Sequence, residues 1–351
     1  MKTRILSIDG GGIKGIIPGR ILEYLENKVR ENNKNYYISE SFDLVAGTST
    51  GGIIAIGLLC PAVDGTAKAM YSVTDLLKLY EDKGNEIFDT SVFQKIMNLD
   101  GIAHQKYKKD NMERLLKEYF GDIKLSELLK PCLISSYNIF DRKAVFFNKT
   151  DTETGGGFND YYARDIARAT SGAPTYFPPA DIKTLEGTTY YPLVDGGVFA
   201  NNPSLCALVE MNKLLSAQAK TNNKSYLLDL ANISLLSIGT GVNIATKKSF
   251  TYDQTKDWGD LQWASPLIDI MMSASSETID YQLQQLYSCT DNKENYIRIQ
   301  PELKRAAPEM DDASSKNIQA LLADVDEYIT NNSDLLDKIA DLLTVQSTVV
   351  S

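Results

Sequence analysis

The amino-acid sequence predicts an α/β fold of three layers, α/β/α, with a mostly parallel central sheet and a helical C-terminal extension. Three observations carry this expectation. Short apolar runs alternate with helix-periodic segments along nearly the whole chain. Glycine-rich turns stand where strands hand over to helices. The length of 351 residues, with 43% hydrophobic and 23% charged, provides a large core without disulfide or metal staples.

The elements follow in order. Thr3 to Asp9 reads as a strand ended by Gly10-Gly11-Gly12, and Ile17, Ile21, Leu25 and Val29 recur every four residues in a helix whose first turn suits Pro18. Phe42 to Ala46 is a second strand, followed by a glycine-flanked turn and the helical run Ile53 to Leu59. Helical spacing returns over 67–80 and Asn111 to Phe120; strands are expected at Cys132 to Ile139 and Ala144 to Phe147. A helix at Ala163 to Thr170 stops before Gly172 and Pro174. The strand Tyr190 to Val194 ends at Asp195-Gly196-Gly197, and Asn202-Pro203 opens a helix through Leu205, Leu208 and Met211. Ile233 to Ile238 is a strand, 266–286 a helix and Tyr296 to Ile299 a strand; Ile318, Leu321, Val325 and Tyr328, then Leu335, Ile339 and Leu342, mark two terminal helices. No internal repeat is evident, and Gly155 to Gly157 reads as a loop. One domain over 1–351 is expected, with 304–351 as its helical extension.

Charge and cysteine usage narrow the function. The net charge is −10, and from Pro301 onward ten acidic residues stand against four basic ones. That argues against a nucleic-acid polymer as partner and against purely electrostatic docking to anionic lipid. The cluster Lys106-Tyr107-Lys108-Lys109 reads as a solvated loop. Cys60, Cys132, Cys206 and Cys289 lie far apart without metal-ligand spacing, and read as reduced, mostly buried thiols of a cytoplasmic protein. No export signal is visible, and the longest apolar stretch, Gly51 to Val63, is too short to span a bilayer. No metal or cofactor is expected, and any membrane contact is peripheral.

Gly47-Thr48-Ser49-Thr50-Gly51 is a GxSxG between a strand and a helix, a geometry that lifts a serine hydroxyl clear of a sheet. The same residues also suit a tight turn with a capping serine. A serine nucleophile needs a proton acceptor. The chain has one histidine, His104, in a polar stretch beside lysines, where a surface histidine is the ordinary reading. An acidic residue is therefore the expected base. Asp195, at a strand end, is the candidate, although Asp-Gly also merely starts turns. The run Asp9-Gly10-Gly11-Gly12-Ile13-Lys14-Gly15 exposes backbone N–H groups able to hold an oxyanion or a phosphate. Lys14 reads either as a ligand for lipid phosphate or as a solvated side chain.

In order, DGGGIKG (9–15), GTSTGG (47–52), ATSGAPTYFPP (169–179), DGGVFANNP (195–203) and LSIGTG (236–241) resemble the patatin-like phospholipases over roughly residues 4 to 300. The resemblance implies a Ser49–Asp195 dyad, an oxyanion hole from Gly10, Gly11 and Gly12, and Lys14 at the family's basic position. It implies a serine lipid acyl hydrolase of phospholipase A or lysophospholipase type, acting on phospholipid, galactolipid or lysolipid. A regulated, membrane-degrading effector with a protein or small-molecule activator is compatible with it. Three alternatives remain: an acyltransferase on the same fold, a storage or binding module, and an actin-like sugar kinase, in which a DGG turn continues as a β-hairpin.

Overall fold

The computed structural model describes residues 2–87, 109–155, 159–187, 191–243 and 251–344. His104, Lys106, Lys108, Gly156, Gly157 and Tyr190 lie outside the described residues. The strands are β1 (Thr3–Ile8), β2 (Leu44–Thr48), β3 (Cys132–Asn138), β4 (Lys143–Phe147), β5 (Ala180–Ile182), β6 (Tyr191–Asp195), β7 (Ile233–Ile238), β8 (Val242–Asn243), β9 (Tyr296–Ile299) and β10 (Glu302–Leu303). The helices are α1 (Ile16–Arg30), α2 (Thr50–Leu59), α3 (Val73–Ile87), α4 (Lys109–Phe120), α5 (Lys149–Gly155), α6 (Ala163–Thr170), α7 (Gly197–Ala200), α8 (Ser204–Thr221), α9 (Tyr252–Thr255), α10 (Asp260–Ser288), α11 (Ser315–Asn331) and α12 (Ser333–Thr344).

The main sheet runs β5-β6-β3-β2-β1-β7-β9, with β4 also paired to β3. Its centre, from β3 through β2, β1 and β7 to β9, is parallel. Side chains along a strand alternate between faces, and here that alternation sorts the core in two. Leu6, Ile8, Val45, Ile134, Leu236 and Ile238 face one cluster with α1, α2 and α6. Ile5, Leu44, Ala46, Leu133, Ile233 and Leu235 face the other, closed by Ala207, Leu208 and Met211 of α8 and Leu283 and Tyr287 of α10. The three-layer α/β/α architecture is thus the expected one.

The terminal helices are not loosely appended. Leu321 and Val325 of α11 and Leu336 and Ile339 of α12 join the same apolar cluster as α1. Tyr24 donates to Asp337 Oδ1 (2.6 Å), Arg20 Nε to Asp326 Oδ1 (2.9 Å), and the Ser41 hydroxyl to the Leu343 carbonyl (2.7 Å). Among the described residues no helix is long and apolar enough to cross a membrane.

One strand departs from the parallel pattern in a way that matters. β6 is antiparallel to β3, with Ser136 opposite Asp195. β3 pairs with β4 over residues 134–138, with β2 over 132–135 and with β6 over 136–138. A strand has only two edges, so β2 and β6 share one of them. They approach from opposite directions and stop where they meet, β2 at Thr48 and β6 at Asp195.

Candidate active site

The serine turn is built by two close backbone approaches. Ser49 has φ 55° and ψ −125°, a conformation that costs an L-residue on the order of 1–3 kcal/mol and persists only where the surroundings impose it. A Cβ on Gly47 would sit 2.2 Å from the Gly51 carbonyl oxygen, and one on Gly51 would sit 2.2 Å from that of Ile8. Both flanking glycines are therefore steric requirements. The Ser49 N–H donates to Thr170 Oγ1 (2.9 Å), which in turn donates to the Ser135 carbonyl (2.7 Å). Thr48 is tied to Ser135 Oγ (2.6 Å) and to the Ala200 carbonyl (2.7 Å). The N-terminus of α2 begins directly behind the serine, where its dipole favours negative charge.

Asp195 reaches this turn from the other side of the strand junction. It is 2% exposed, and its Oδ1 accepts the Gly197 N–H at 2.7 Å. Among the described residues Oδ2 has no partner with full hydrogen-bond geometry. Burial pushes the carboxyl up to about 7, while the nearby Ser49 hydroxyl and the Gly197 N–H partly oppose that rise; no positive charge contributes. A Cβ on Gly196 would meet Ser135 Oγ at 2.2 Å, so the turn beyond Asp195 is pressed flat on β3.

The glycine loop closes the third side. A Cβ on Gly10 would lie 3.0 Å from Ser49 Cβ, which sets the loop against the serine. The Gly10 N–H donates to the Asn201 carbonyl (3.1 Å) and is committed there. The N–H groups of Gly11 and Gly12 have no acceptor among the described residues. Of the three glycines expected to donate, two are free to do so. Gly12, at φ +60°, rests so closely on the Met310 carbonyl that a Cβ would fall 2.1 Å from its oxygen.

Residues 6–208 match the family model described as patatin-like phospholipase. The chain belongs to that family. It is 36% identical to "Probable inactive patatin-3-Kuras 1" of Solanum tuberosum, covering 94% of this chain and 86% of the relative. To "Patatin group J-1" of the same plant it is 34% identical over 91% of this chain and 81% of the relative. VipD from Legionella pneumophila, a solved structure, aligns at 12% identity and a TM-score of 0.38, covering 93% of this chain and 67% of that one, too remote to bear on function. Lipid acyl hydrolysis is the general activity of patatin-like phospholipases, and the sugar-kinase alternative falls away. The glycine loop leads through the short turn Gly12–Gly15 into α1, where that alternative needs a β-hairpin.

Two basic residues hold this patatin-like loop in place. The half-buried Lys14 has a partner within the chain: its Nζ donates to the Pro308 carbonyl at 2.6 Å, and burial lowers its pKa. Lys14 thereby ties the glycine loop to the C-terminal part of the chain, and the Ile13 N–H joins it by donating to the Met310 carbonyl (2.9 Å). Arg298 of β9 grips Asp9 with two bonds, Nη1 to Oδ1 (2.8 Å) and Nη2 to Oδ2 (2.6 Å). Burial pushes the Asp9 carboxyl up and Arg298 opposes it. A guanidinium does not give up its proton, so we take the pair as ionised. Thr170, Asn201 and Thr240 lie inside the motifs ATSGAPTYFPP, DGGVFANNP and LSIGTG, whose residue pattern alone gives them no role. Arg298 and the carbonyls of Pro308 and Met310 carried no sequence signal.

Proposed function

We propose that this chain hydrolyses fatty-acyl esters of membrane lipids, as a phospholipase A or lysophospholipase, with Ser49 as nucleophile and Asp195 as its general base. The observation that carries the proposal is the meeting of β2 and β6. It sets a buried carboxylate with a pKa near 7 beside the hydroxyl of a serine in a strained turn. Such a carboxylate is a stronger base than an ordinary one and is still substantially ionised near neutral pH.

Asp195 Oδ2 takes the Ser49 proton as Oγ bonds to the ester carbonyl carbon. The displaced π electrons form an oxyanion that the Gly11 and Gly12 N–H groups receive. As the carbonyl re-forms, the bond to the alcohol breaks and Asp195 protonates the leaving oxygen. Water then attacks the acyl-serine, giving its proton to Asp195. A second collapse returns that proton to Ser49 Oγ and releases the fatty acid. Peripheral membrane contact from the cytoplasm belongs to the same reading. It is supported by exposed Trp263, Leu267, Ile270 and Met271 on α10. The test is Ser49→Ala assayed on p-nitrophenyl butyrate and on phosphatidylcholine vesicles. Activity should drop at least a thousandfold on both. Retained hydrolysis of either substrate would overturn the assignment.

A further inference from the structure

The oxyanion loop poses a question that the dyad does not answer: what aims its donors. A trans peptide unit is rigid, with its C=O and N–H pointing opposite ways. Whatever holds the Gly10 carbonyl therefore sets the direction of the Gly11 N–H. That carbonyl is held twice, by Thr240 Oγ1 at 3.0 Å and by Asn201 Nδ2 at 3.4 Å. The next peptide is held similarly, because the Gly11 carbonyl accepts the Lys14 N–H at 3.2 Å and so turns the Gly12 N–H away from the helix.

Asn201 is placed to couple this loop to the base. Its own carbonyl takes the Gly10 N–H, its side-chain amide reaches the Gly10 oxygen, and Nδ2 also donates to Ser276 Oγ (3.1 Å). The same side chain borders the Asp195 turn, since a Cβ on Gly197 would stand 3.1 Å from Asn201 Oδ1 and equally 3.1 Å from Asp195 Oδ1. Thr240 lies over Gly11 so tightly that a Cβ there would be 2.4 Å from its hydroxyl oxygen. The second glycine of the loop is thus required by Thr240 itself, quite apart from any approach of substrate.

We propose that Thr240 and Asn201 are positioning residues for the oxyanion hole: together they clamp the Gly10 carbonyl and thereby aim the Gly11 N–H at the oxygen of the tetrahedral intermediate. The proposal rests on the Ser49–Asp195 reading and assigns a role to two motifs, ANNP and GTG, outside the dyad. A donor aimed in advance strengthens only as charge develops, so its loss is felt in the transition state and not in ground-state binding.

The experiment compares Thr240→Val, which keeps the shape and removes the hydroxyl, with Thr240→Ser, which keeps the hydroxyl. Three quantities are read: kcat on p-nitrophenyl butyrate, the Ki of a fatty-acyl trifluoromethyl ketone, which Ser49 converts to an oxyanion, and the Kd of a non-hydrolysable ether phospholipid. Thr240→Val should lower kcat by about 10- to 100-fold and weaken the ketone in parallel, with ether-lipid Kd within twofold of wild type. Thr240→Ser should restore both to within about fivefold. If Thr240→Val does not fold, Thr240→Ala, which only removes atoms, carries the same expectation. A Val variant with wild-type kcat, or a Ser variant as impaired as Val, overturns the clamp. An active Ser49→Ala enzyme would instead overturn the dyad, so the two failures are distinct.

Discussion

Two Asp-Gly-Gly turns in this molecule look alike in sequence and do opposite things with their charge. Asp9 directly follows β1 and Asp195 ends β6; both are almost wholly buried, and both precede glycines pressed against neighbouring backbone or side chains. Asp9 is met by Arg298 with two short hydrogen bonds. Asp195 is met by one backbone N–H and the Ser49 hydroxyl, with no cation. The first carboxylate is a fixed anion that anchors the start of the glycine loop. The second is a carboxylate that burial pushes up to about 7, beside the Ser49 hydroxyl, which suits the role of base proposed for it. The difference lies entirely in what the rest of the fold brings to each turn, so a sequence motif of this kind names a backbone shape and leaves the chemistry open.

The largest expected effect breaks the comparison on the Asp195 side. Asp195→Asn keeps the shape and the Gly197 contact but removes the base, and kcat should fall at least a thousandfold. Stability should move the other way. Wild-type Asp195 is held near 7 by burial, above its ordinary 3.8, so the folded state binds that proton more tightly than the unfolded state. Its stabilising contribution is full below about pH 4 and lost as pH rises through 7. Between those limits the loss is roughly 4 kcal/mol at most. The Asn variant escapes it, and its melting temperature should exceed that of wild type at pH 8 but not at pH 4. A variant destabilised at pH 8 would mean that the carboxylate is better compensated than its contacts indicate.

On the Asp9 side, Arg298→Met strands a buried anion and should cost about 3–5 kcal/mol in denaturant unfolding. Without the guanidinium nothing opposes the burial of Asp9, so its folded pKa rises further and the deficit should grow from pH 5 to pH 8. The two variants thus respond to the same pH rise with opposite signs. An Arg298→Met protein whose deficit is flat with pH would place the cost in lost packing instead.

The third effect is kinetic. If Asp195 must be ionised to accept the serine proton, kcat/KM should fall about tenfold per pH unit on the acid side, with the limb centred near 7. The limb should shift down in any variant that brings a cation to the turn. A profile flat to pH 5 would leave Asp195 ionised at far lower pH than its burial implies.

Much of this site was legible because steric rules act locally. Gly47, Ser49 and Gly51 declare a tight strand-to-helix turn wherever they occur between an apolar run and a helix, and the alternating strands and helices declare the layers around it. Asp195 was legible by residue type but not by geometry. A run such as Tyr191 to Val194 has the same apolar character in either direction, so its antiparallel pairing with β3, which decides how it reaches Ser49, is set by the chain path between them. Lys14 shows the limit most plainly. A lysine just beyond three glycines reads as a phosphate ligand or a solvated side chain; that it also donates to a backbone carbonyl 294 residues away could not be read, because carbonyls leave no mark in sequence.

That lysine gives the smallest effect and the sharpest check on how the two turns are supported. The Asp195 turn is held within the sheet, by β3 and by its own Gly197 N–H. The glycine loop is held from outside, by Arg298 beneath and by the Pro308 and Met310 carbonyls beside it. Lys14→Met keeps the aliphatic stem and removes one charge-assisted hydrogen bond, worth about 1.5–3 kcal/mol. Because the loss loosens the donors and not a headgroup site, kcat should drop a few-fold by about the same factor on neutral p-nitrophenyl butyrate and on phospholipid vesicles. A headgroup role predicts the other pattern, with KM raised on phospholipid alone and the neutral ester untouched. The ratio of the two effects therefore separates a lysine that holds the loop from one that holds the substrate.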